Sequence, residues 1–537
     1  MQSLVQKYDL KACLLAALLG VLLPLSMAPF HWWALGLLST AGFAAMVCGP
    51  QSTPGFRVRL LRSLSFGLGV YGVGASWIFV SIHDYGDASI ALSLLLITPF
   101  IFFLALLLAT PFVLLGRTLT PPSNLLSTHH GLALVMLIIF PSIWTIGEWF
   151  RGWVFSGFPW LYLGYGHTDT WLSGWAPIVG VLGVSWITAF CGALLAFLFM
   201  LKLPIKANNV RPKTGVGVAI AALLPATLFW LGGAYLQTVS WTQPSGNPLS
   251  IGLVQPALPL SLKWDPYKLP AIFEQYRADT ESLLHNDLVI WPESAIPRFQ
   301  HEVMGYLDSV AAAANETQTA LITGIPTAET NDRQNSEPGN YYSKYYNSVI
   351  GLGMASGVYH KQHLVPFGEY VPFEKWLRGT IAFFDLPMSA FNSGPAEQPL
   401  ITAKGAIIAT AICYEIAYAE LVRKSATHAN LILTLSNDTW FGKSIGPKQH
   451  FQIARMRAIE NEKPLIRATN DGISALIDYD GRVTAVSPSF QRTTLEGTLE
   501  PRTGLTPFGR AGSYPILLLS FIVIVIALYR TRRPENK

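Results

Sequence analysis

The sequence predicts a multi-pass α-helical membrane domain of eight spans joined to an α/β layered domain. Three observations carry that expectation. Charged residues make up 13% of the 537-residue chain and hydrophobic ones 51%, against a usual charged share of about 25%. Apolar runs of roughly 20 residues, the length that crosses a bilayer as helix, recur through the first half and once near the end. Between them lies one long polar block in which short apolar strands alternate with polar helices.

The apolar runs fall at about 10–28, 32–49, 63–82, 88–115, 131–150, 177–201, 214–237 and 514–529. Lysine and arginine orient them. Lys7 and Lys11 precede the first run, Arg57, Arg59 and Arg62 follow the second, and Arg117 follows the fourth. Lys202, Lys206, Arg211 and Lys213 separate the sixth from the seventh, and Arg530, Arg532, Arg533 and Lys537 follow the eighth. The alternate connections hold only Arg151. This pattern predicts both termini on the cytoplasmic side and the polar block, 240–508, on the outer face. The expected division is a membrane domain at 1–239, the outer domain at 240–508, and a closing span with a basic tail at 509–537. Removing the first run as a signal peptide would invert the charge alternation, so it is expected to remain as a helix. The net charge of +5 sits mostly at span ends. Nothing in it suggests a nucleic-acid groove.

The outer connection 151–176 is rich in aromatics: Trp153, Phe155, Phe158, Trp160, Tyr162, Tyr165, Trp171 and Trp175. Such residues read as an interfacial belt or as a wall guiding acyl chains. Glu148 and Arg151 are three apart, a spacing at which helical side chains can pair.

In the polar block, strands are expected at Leu249–Val254, Asp287–Trp291, Ala320–Thr323, Ala406–Ile412, Leu431–Leu435, Pro464–Ala468, Ile473–Ile477 and Val483–Val486. A hairpin is expected at Tyr346–Leu352 and Gly357–Lys361, and helices at about 267–285, 301–315, 417–427 and 447–462. Function in such layered domains collects where strands end. Three strand ends carry reactive groups. Trp291-Pro292-Glu293-Ser294-Ala295-Ile296-Pro297 delivers a carboxylate between two prolines that stiffen its backbone. Lys361, followed by Leu364-Val365-Pro366-Phe367-Gly368-Glu369-Tyr370, supplies an amine and a second carboxylate. Ile412-Cys413-Tyr414-Glu415-Ile416 supplies the one cysteine outside the apolar segments; Cys13, Cys48 and Cys191 all lie within them. A carboxylate to take the thiol proton, a lysine to favour thiolate and then oxyanion, and the thiol itself make a complete nucleophilic set. The Tyr414 N–H is placed to be a second oxyanion donor.

These strings, with Leu435-Ser436-Asn437-Asp438-Thr439-Trp440-Phe441-Gly442, resemble the nitrilase (carbon–nitrogen hydrolase) superfamily and its Glu-Lys-Cys triad. The apolar frame resembles that of the superfamily's membrane branch, the bacterial apolipoprotein N-acyltransferases. The resemblance implies a nitrilase-like αββα sandwich. It implies Glu293 as general base, Lys361 as oxyanion stabiliser and Cys413 as nucleophile. Glu369, Tyr414 and Glu415 would be supporting residues, and Trp264 matches a family tryptophan near the acyl path. The implied reaction moves an acyl chain from a membrane phospholipid, through a cysteine thioester, to the α-amine of an N-terminal diacylglyceryl-cysteine. Partners would be that phospholipid, diacylglyceryl-modified apolipoproteins and the bacterial inner membrane, with the catalytic domain facing the periplasm and no cofactor required.

Two other readings compete. One is a membrane-tethered amidase using the same triad. The other is a transporter or lipid-binding protein, which the scarcity of ionisable residues in the spans disfavours. His360, His363 and His450 lack metal-ligand spacing, so no metal site is expected. Asn437 and Asp438 read as structural support, Arg455 and Arg457 as a solvated face. A gate over the thioester is expected from the 151–176 aromatics with Phe367, Phe373, Trp376, Phe383 and Phe384.

Overall fold

The computed structural model describes residues 2–48, 55–119, 129–201, 215–263, 265–330, 342–372, 374–377 and 390–532. Trp264, Phe373, Phe383 and Phe384 lie outside the described residues, as do the basic residues Lys202, Lys206, Arg211, Lys213, Arg533 and Lys537. The described chain forms two compact units. One comprises residues 1–78, 91–239 and 511–537, the other 79–90 and 240–510. Residues 79–90, read from sequence as part of the membrane domain, thus cluster with the second unit.

The first unit is helical, and each apolar run carries helix. Ile90–Leu114, His129–Arg151, Trp171–Met200, Ala219–Leu236 and Tyr514–Thr531 are long and apolar enough to cross a membrane. The third run departs from the expectation of one straight span. Phe56–Gly74 and Trp77–His83 meet at a bend of 58°, and counted as a pair they bring the number to six. Leu10–Leu25 and Trp33–Cys48 are apolar but shorter, so among the described residues length and composition give eight apolar helical segments without giving eight full spans. Phe43, Phe66, Phe112, Phe140 and Trp144 interlock in the interior, Phe43 stacking on Phe66 at 4.2 Å between centroids. Helices 2–25 and 56–74 touch backbone to backbone, because a Cβ at Gly69 would lie 2.0 Å from the Ala17 carbonyl oxygen. Leu94, Leu95, Leu228, Leu518 and Val525 point outward and are exposed, as helices surrounded by lipid require.

The aromatic connection divides in two. Trp160, Tyr162 and Tyr165 are buried within the unit, whereas Trp153, Phe155 and Trp171 are exposed. Glu148 and Arg151 take separate partners. Glu148 accepts from Trp144 Nε1 at 2.9 Å and Leu163 N at 2.7 Å, and Arg151 donates to the carbonyls of Phe158 and Trp160 at 2.5 and 2.6 Å. The loop folds back over the helix end and supplies better-aligned partners than the neighbouring turn.

The second unit is built on β-strands β1 (Gln243–Pro244), β2 (Leu249–Gln255), β3 (Leu288–Ile290), β4 (Ala320–Thr330), β5 (Tyr342–Gly353), β6 (Ala355–Ser356), β7 (Val358–His360), β8 (Ile401–Ala403), β9 (Ala406–Ile412), β10 (Leu431–Ser436), β11 (Leu465–Thr469), β12 (Ala475–Ile477), β13 (Val483–Val486), β14 (Thr493–Leu499) and β15 (Arg502–Thr503). Among the described residues one large sheet runs β14-β2-β3-β4-β5-β7 and the other β13-β12-β11-β10-β9-β8-β6, while β1 and β15 pair antiparallel by themselves. The central strands β2, β3, β4 and β9, β10, β11 are parallel. They read in sequence as continuous apolar runs, because a parallel strand buried on both faces has no polar side. The two sheets face each other across one core, in which Ile251, Leu253 and Ile290 meet Ile408, Leu433 and Ile466. Helices 269–281 and 304–316 cover the outer face of the first sheet through Tyr276, Leu307 and Val310. Helices 419–426 and 446–461 pack on the second sheet. Strand β14, alternating and half-exposed, carries too little apolar signal to stand out in sequence.

Candidate active site

Glu293, Lys361 and Cys413 follow β3, β7 and β9, so three strand ends from two sheets deliver them. The Glu293 loop is tied to β4 by Trp291 N donating to the Ile322 carbonyl at 2.9 Å and Ala295 N to that of Gly324 at 2.8 Å. Gly324 is needed there, since a Cβ would meet Glu293 Cα and the Pro292 oxygen, each at 2.7 Å. Glu293 Oε1 accepts from Asn347 Nδ2 at 2.8 Å and Oε2 from Asn437 N at 2.8 Å. Lys361 Nζ lies 3.6 Å from Glu293 Oε1 and 2.9 Å from both Glu369 oxygens. Asn347 Nδ2 also donates to Glu369 Oε1 at 2.9 Å, so one amide ties the two carboxylates together. All four side chains are buried. Burial opposes the charge on Lys361, but the Glu369 and Glu293 carboxylates outweigh it and hold its pKa above the ordinary lysine range. The amine is therefore a permanent cation.

Cys413 is half-buried, with φ at +53° in the left-handed region that a side chain seldom adopts. Burial raises its thiol pKa and the Glu293 charge adds to this, while Lys361 pulls it down. Glu415 stitches the turn to its surroundings. It accepts from Ile412 N at 2.7 Å, Gln362 N at 2.7 Å, His363 N at 3.0 Å and the Tyr359 hydroxyl at 3.1 Å. Burial pushes Glu415 up to about 7, against the Lys361 charge and the three N–H groups. Every neighbour of its oxygens is a donor, which suits the ionised form.

A basic residue that the sequence reading passed over lies behind Glu293. Lys263 is fully buried and donates from Nζ to the Glu293 carbonyl at 3.1 Å. Burial pushes it down to about 8, partly offset by the Glu293 and Asp471 charges. Beneath Cys413, His450 Nε2 donates to the Cys413 carbonyl at 3.0 Å. From residues 79–90, Ser81 Oγ donates to the Trp440 carbonyl at 2.7 Å, beside the Asn437 turn.

Two family models match the chain: "Carbon-nitrogen hydrolase" over residues 254–507 and "Apolipoprotein N-acyltransferase N-terminal domain" over 19–194. The apolipoprotein N-acyltransferase of Azotobacter vinelandii is 42% identical over 97% of this chain and 95% of its own length. The chain belongs to the apolipoprotein N-acyltransferase family. The enzyme of that name from Pseudomonas aeruginosa is 41% identical, covering 98% of this chain and 97% of the relative. The one from Vibrio cholerae is 38% identical, with 97% of each covered. Membership in the apolipoprotein N-acyltransferases makes this chain an acyltransferase with apolar membrane helices and sets the amidase alternative behind it.

For this N-acyltransferase, five of the seven residues singled out from sequence converge: Glu293, Lys361 and Glu369 by direct contact, Glu415 by accepting from Gln362 N and His363 N just after Lys361, and Cys413 within the field of Glu293 and Lys361. Tyr414 follows Cys413 in the same 3-10 turn. Trp264 lies outside the described residues. Asn347 and Lys263 carry no signal in sequence, being an asparagine inside β5 and a lysine on a four-residue helix, and His450, set aside from sequence as a metal ligand, carries no motif for the role it has here. Arg457 departs from the expected solvated face. It is fully buried and lies 3.1 Å from Glu460, because helix 446–461 is enclosed on nearly all sides.

Proposed function

We propose that Glu293, Lys361 and Cys413 are the general base, oxyanion-stabilising cation and nucleophile of a ping-pong N-acyl transfer. The observation that carries this reading is the Cys413 turn. The thiol ends a buried strand in a left-handed conformation, and the charges of Glu293 and Lys361 both act on it. Since burial and Glu293 keep the thiol protonated at rest, sulfur attack has to be coupled to proton removal. Glu293 is the base suited to that step, and Lys361 offsets the charge that develops.

In the first half-reaction Cys413 Sγ bonds to the ester carbonyl of a membrane phospholipid, and Glu293 takes the thiol proton. Lys361 Nζ and the Tyr414 N–H stabilise the tetrahedral oxyanion, each good donor being worth roughly 3–4 kcal/mol. The C–O bond then breaks, the proton goes to the departing lysophospholipid, and a thioester remains. In the second half, the free α-amine of a diacylglyceryl-cysteine attacks the thioester. Glu293 takes the amine proton, the C–S bond breaks, and the proton returns to Cys413. Glu369 holds Lys361, Glu415 holds the Cys413 turn, and Trp264 is assigned to the acyl path. Exposed Trp376, on helix 374–377, is assigned to the gate that keeps water from the thioester.

Eight membrane segments, both termini cytoplasmic and residues 240–508 facing the periplasm from the inner membrane complete the reading, with 1–239 as membrane domain and 509–537 as closing span and tail. The alternation of Lys and Arg along the chain supports that orientation. Lipid substrates account for the apolar helices, for which a soluble amidase has no use. Incubation of the full-length protein with phospholipid alone, followed by mass spectrometry, should find an acyl adduct on Cys413 that Cys413→Ala lacks. Acyl capture by Cys413→Ala would end the proposal.

A further inference from the structure

Four side chains below the nucleophile form a closed, fully buried chain of contacts: Ser436, Asp438, His450 and Arg467. Asp438 Oδ1 accepts from Ser436 Oγ at 2.6 Å, and Asp438 Oδ2 accepts from Arg467 at 2.7 Å. The same Arg467 nitrogen lies 3.1 Å from His450 Nδ1, which is also 3.1 Å from Asp438 Oδ1. The far ring nitrogen, Nε2, reaches the Cys413 carbonyl at 3.0 Å. A carbonyl oxygen only accepts, so Nε2 carries the hydrogen. Burial and the Arg467 charge both hold the imidazole below its ordinary pKa, against Asp438. Its Nδ1 edge faces the Arg467 nitrogen and Asp438 Oδ1, which fix the ring so that Nε2 points at the carbonyl.

The bonded carbonyl matters because of what shares its peptide unit. The Cys413 C=O and the Tyr414 N–H belong to one amide, and the proposed mechanism aims that N–H at the oxyanion. A donor on the amide oxygen draws electron density from the nitrogen and strengthens the N–H as a donor; such coupling adds about 10–30% per bond. It also fixes the plane of an amide whose φ on the cysteine side is +53°. We propose that His450 is a positioning residue for acyl transfer, aligning and polarising the Cys413–Tyr414 peptide so that its N–H stabilises the oxyanion. This rests on the Cys413 reading above.

Two reactions of the same thiol separate this role from simple support. Thioester formation from phospholipid passes through an oxyanion, whereas alkylation by iodoacetamide displaces iodide and does not. With full-length protein in detergent, His450→Phe should slow acylation by about tenfold, above the few-fold that lost polarisation alone gives because the amide plane is also released, and below the loss from removing an oxyanion donor outright. Alkylation of Cys413 should stay within about twofold, and His450→Gln, whose amide can reach the carbonyl, should recover most of the acylation. Where His450→Phe fails to fold, His450→Asn serves instead. It keeps a polar group for Asp438 and Arg467 but is too short for the Cys413 carbonyl, and it should show the same split. Acylation and alkylation falling together, or neither falling, overturns the proposal. Absence of any Cys413 adduct in the unsubstituted protein would refute the nucleophile assignment itself, a separate outcome.

Discussion

Asn347 offers the sharpest test of how the buried acids are held. Its Nδ2 group stands 2.8 Å from Glu293 Oε1 and 2.9 Å from Glu369 Oε1, giving one hydrogen to each. Asn347→Asp keeps the volume but replaces both donors by an acceptor. Hydrogen bonds to charged groups contribute about 1.5–3 kcal/mol each, so the two together amount to roughly 3–6 kcal/mol. A carboxylate in that place would also repel both neighbours, by about 6 kcal/mol per pair at an effective dielectric of 20. The new acid escapes most of this by binding a proton, which restores one hydrogen bond and not the other. Its pKa should therefore rise far above the ordinary carboxylate value. Acylation of Cys413 should fall about 10³-fold at about pH 8, in the range of losing a general base. The loss should ease as pH falls through the pKa of the introduced acid, a gain the unsubstituted enzyme lacks. The assay is the pH profile of adduct formation from phospholipid, read by mass spectrometry. An unchanged profile, or activity within threefold at pH 8, would refute the claim that this amide organises Glu293 and Glu369.

Three more perturbations follow from the same geometry. Gly324→Ala places a Cβ 2.7 Å from backbone atoms of Pro292 and Glu293 that cannot rotate away; acylation should drop at least tenfold through misplacement of Glu293, and near-normal rates would show that loop to be slack. Glu415→Gln puts an amide N–H against the main-chain donors of Ile412, Gln362 or His363; it should cost about 3 kcal/mol, lowering the melting temperature by roughly 5–10 °C in scanning calorimetry. Lys263 is a base whose folded pKa, about 8, lies below its free value of 10.5. The fold penalises its charged form fully below about pH 8, and the penalty fades as pH rises toward 10.5, a span of roughly 3 kcal/mol. The stability of Lys263→Met relative to the unsubstituted protein should therefore be greatest near pH 7 and decline by about pH 10; a constant difference in melting temperature would contradict it.

What could be read in the linear chain were the features that repeat or sit at strand ends. Apolar runs, alternating basic connections and β-strands buried on both faces write themselves as local patterns, so helices, central strands and the loops bearing Glu293, Lys361 and Cys413 were all legible. Half-exposed β14 and the break between Gly74 and Trp77 were not, because their shape depends on neighbours far along the chain. The same holds for Asn347, Lys263 and His450. Each matters through contacts to residues between 22 and 54 positions away. Periodicity reports which face of an element is apolar; only folding decides which distant carboxylate or carbonyl a buried polar atom will meet. In a core that excludes water, that one partner sets its charge and its use.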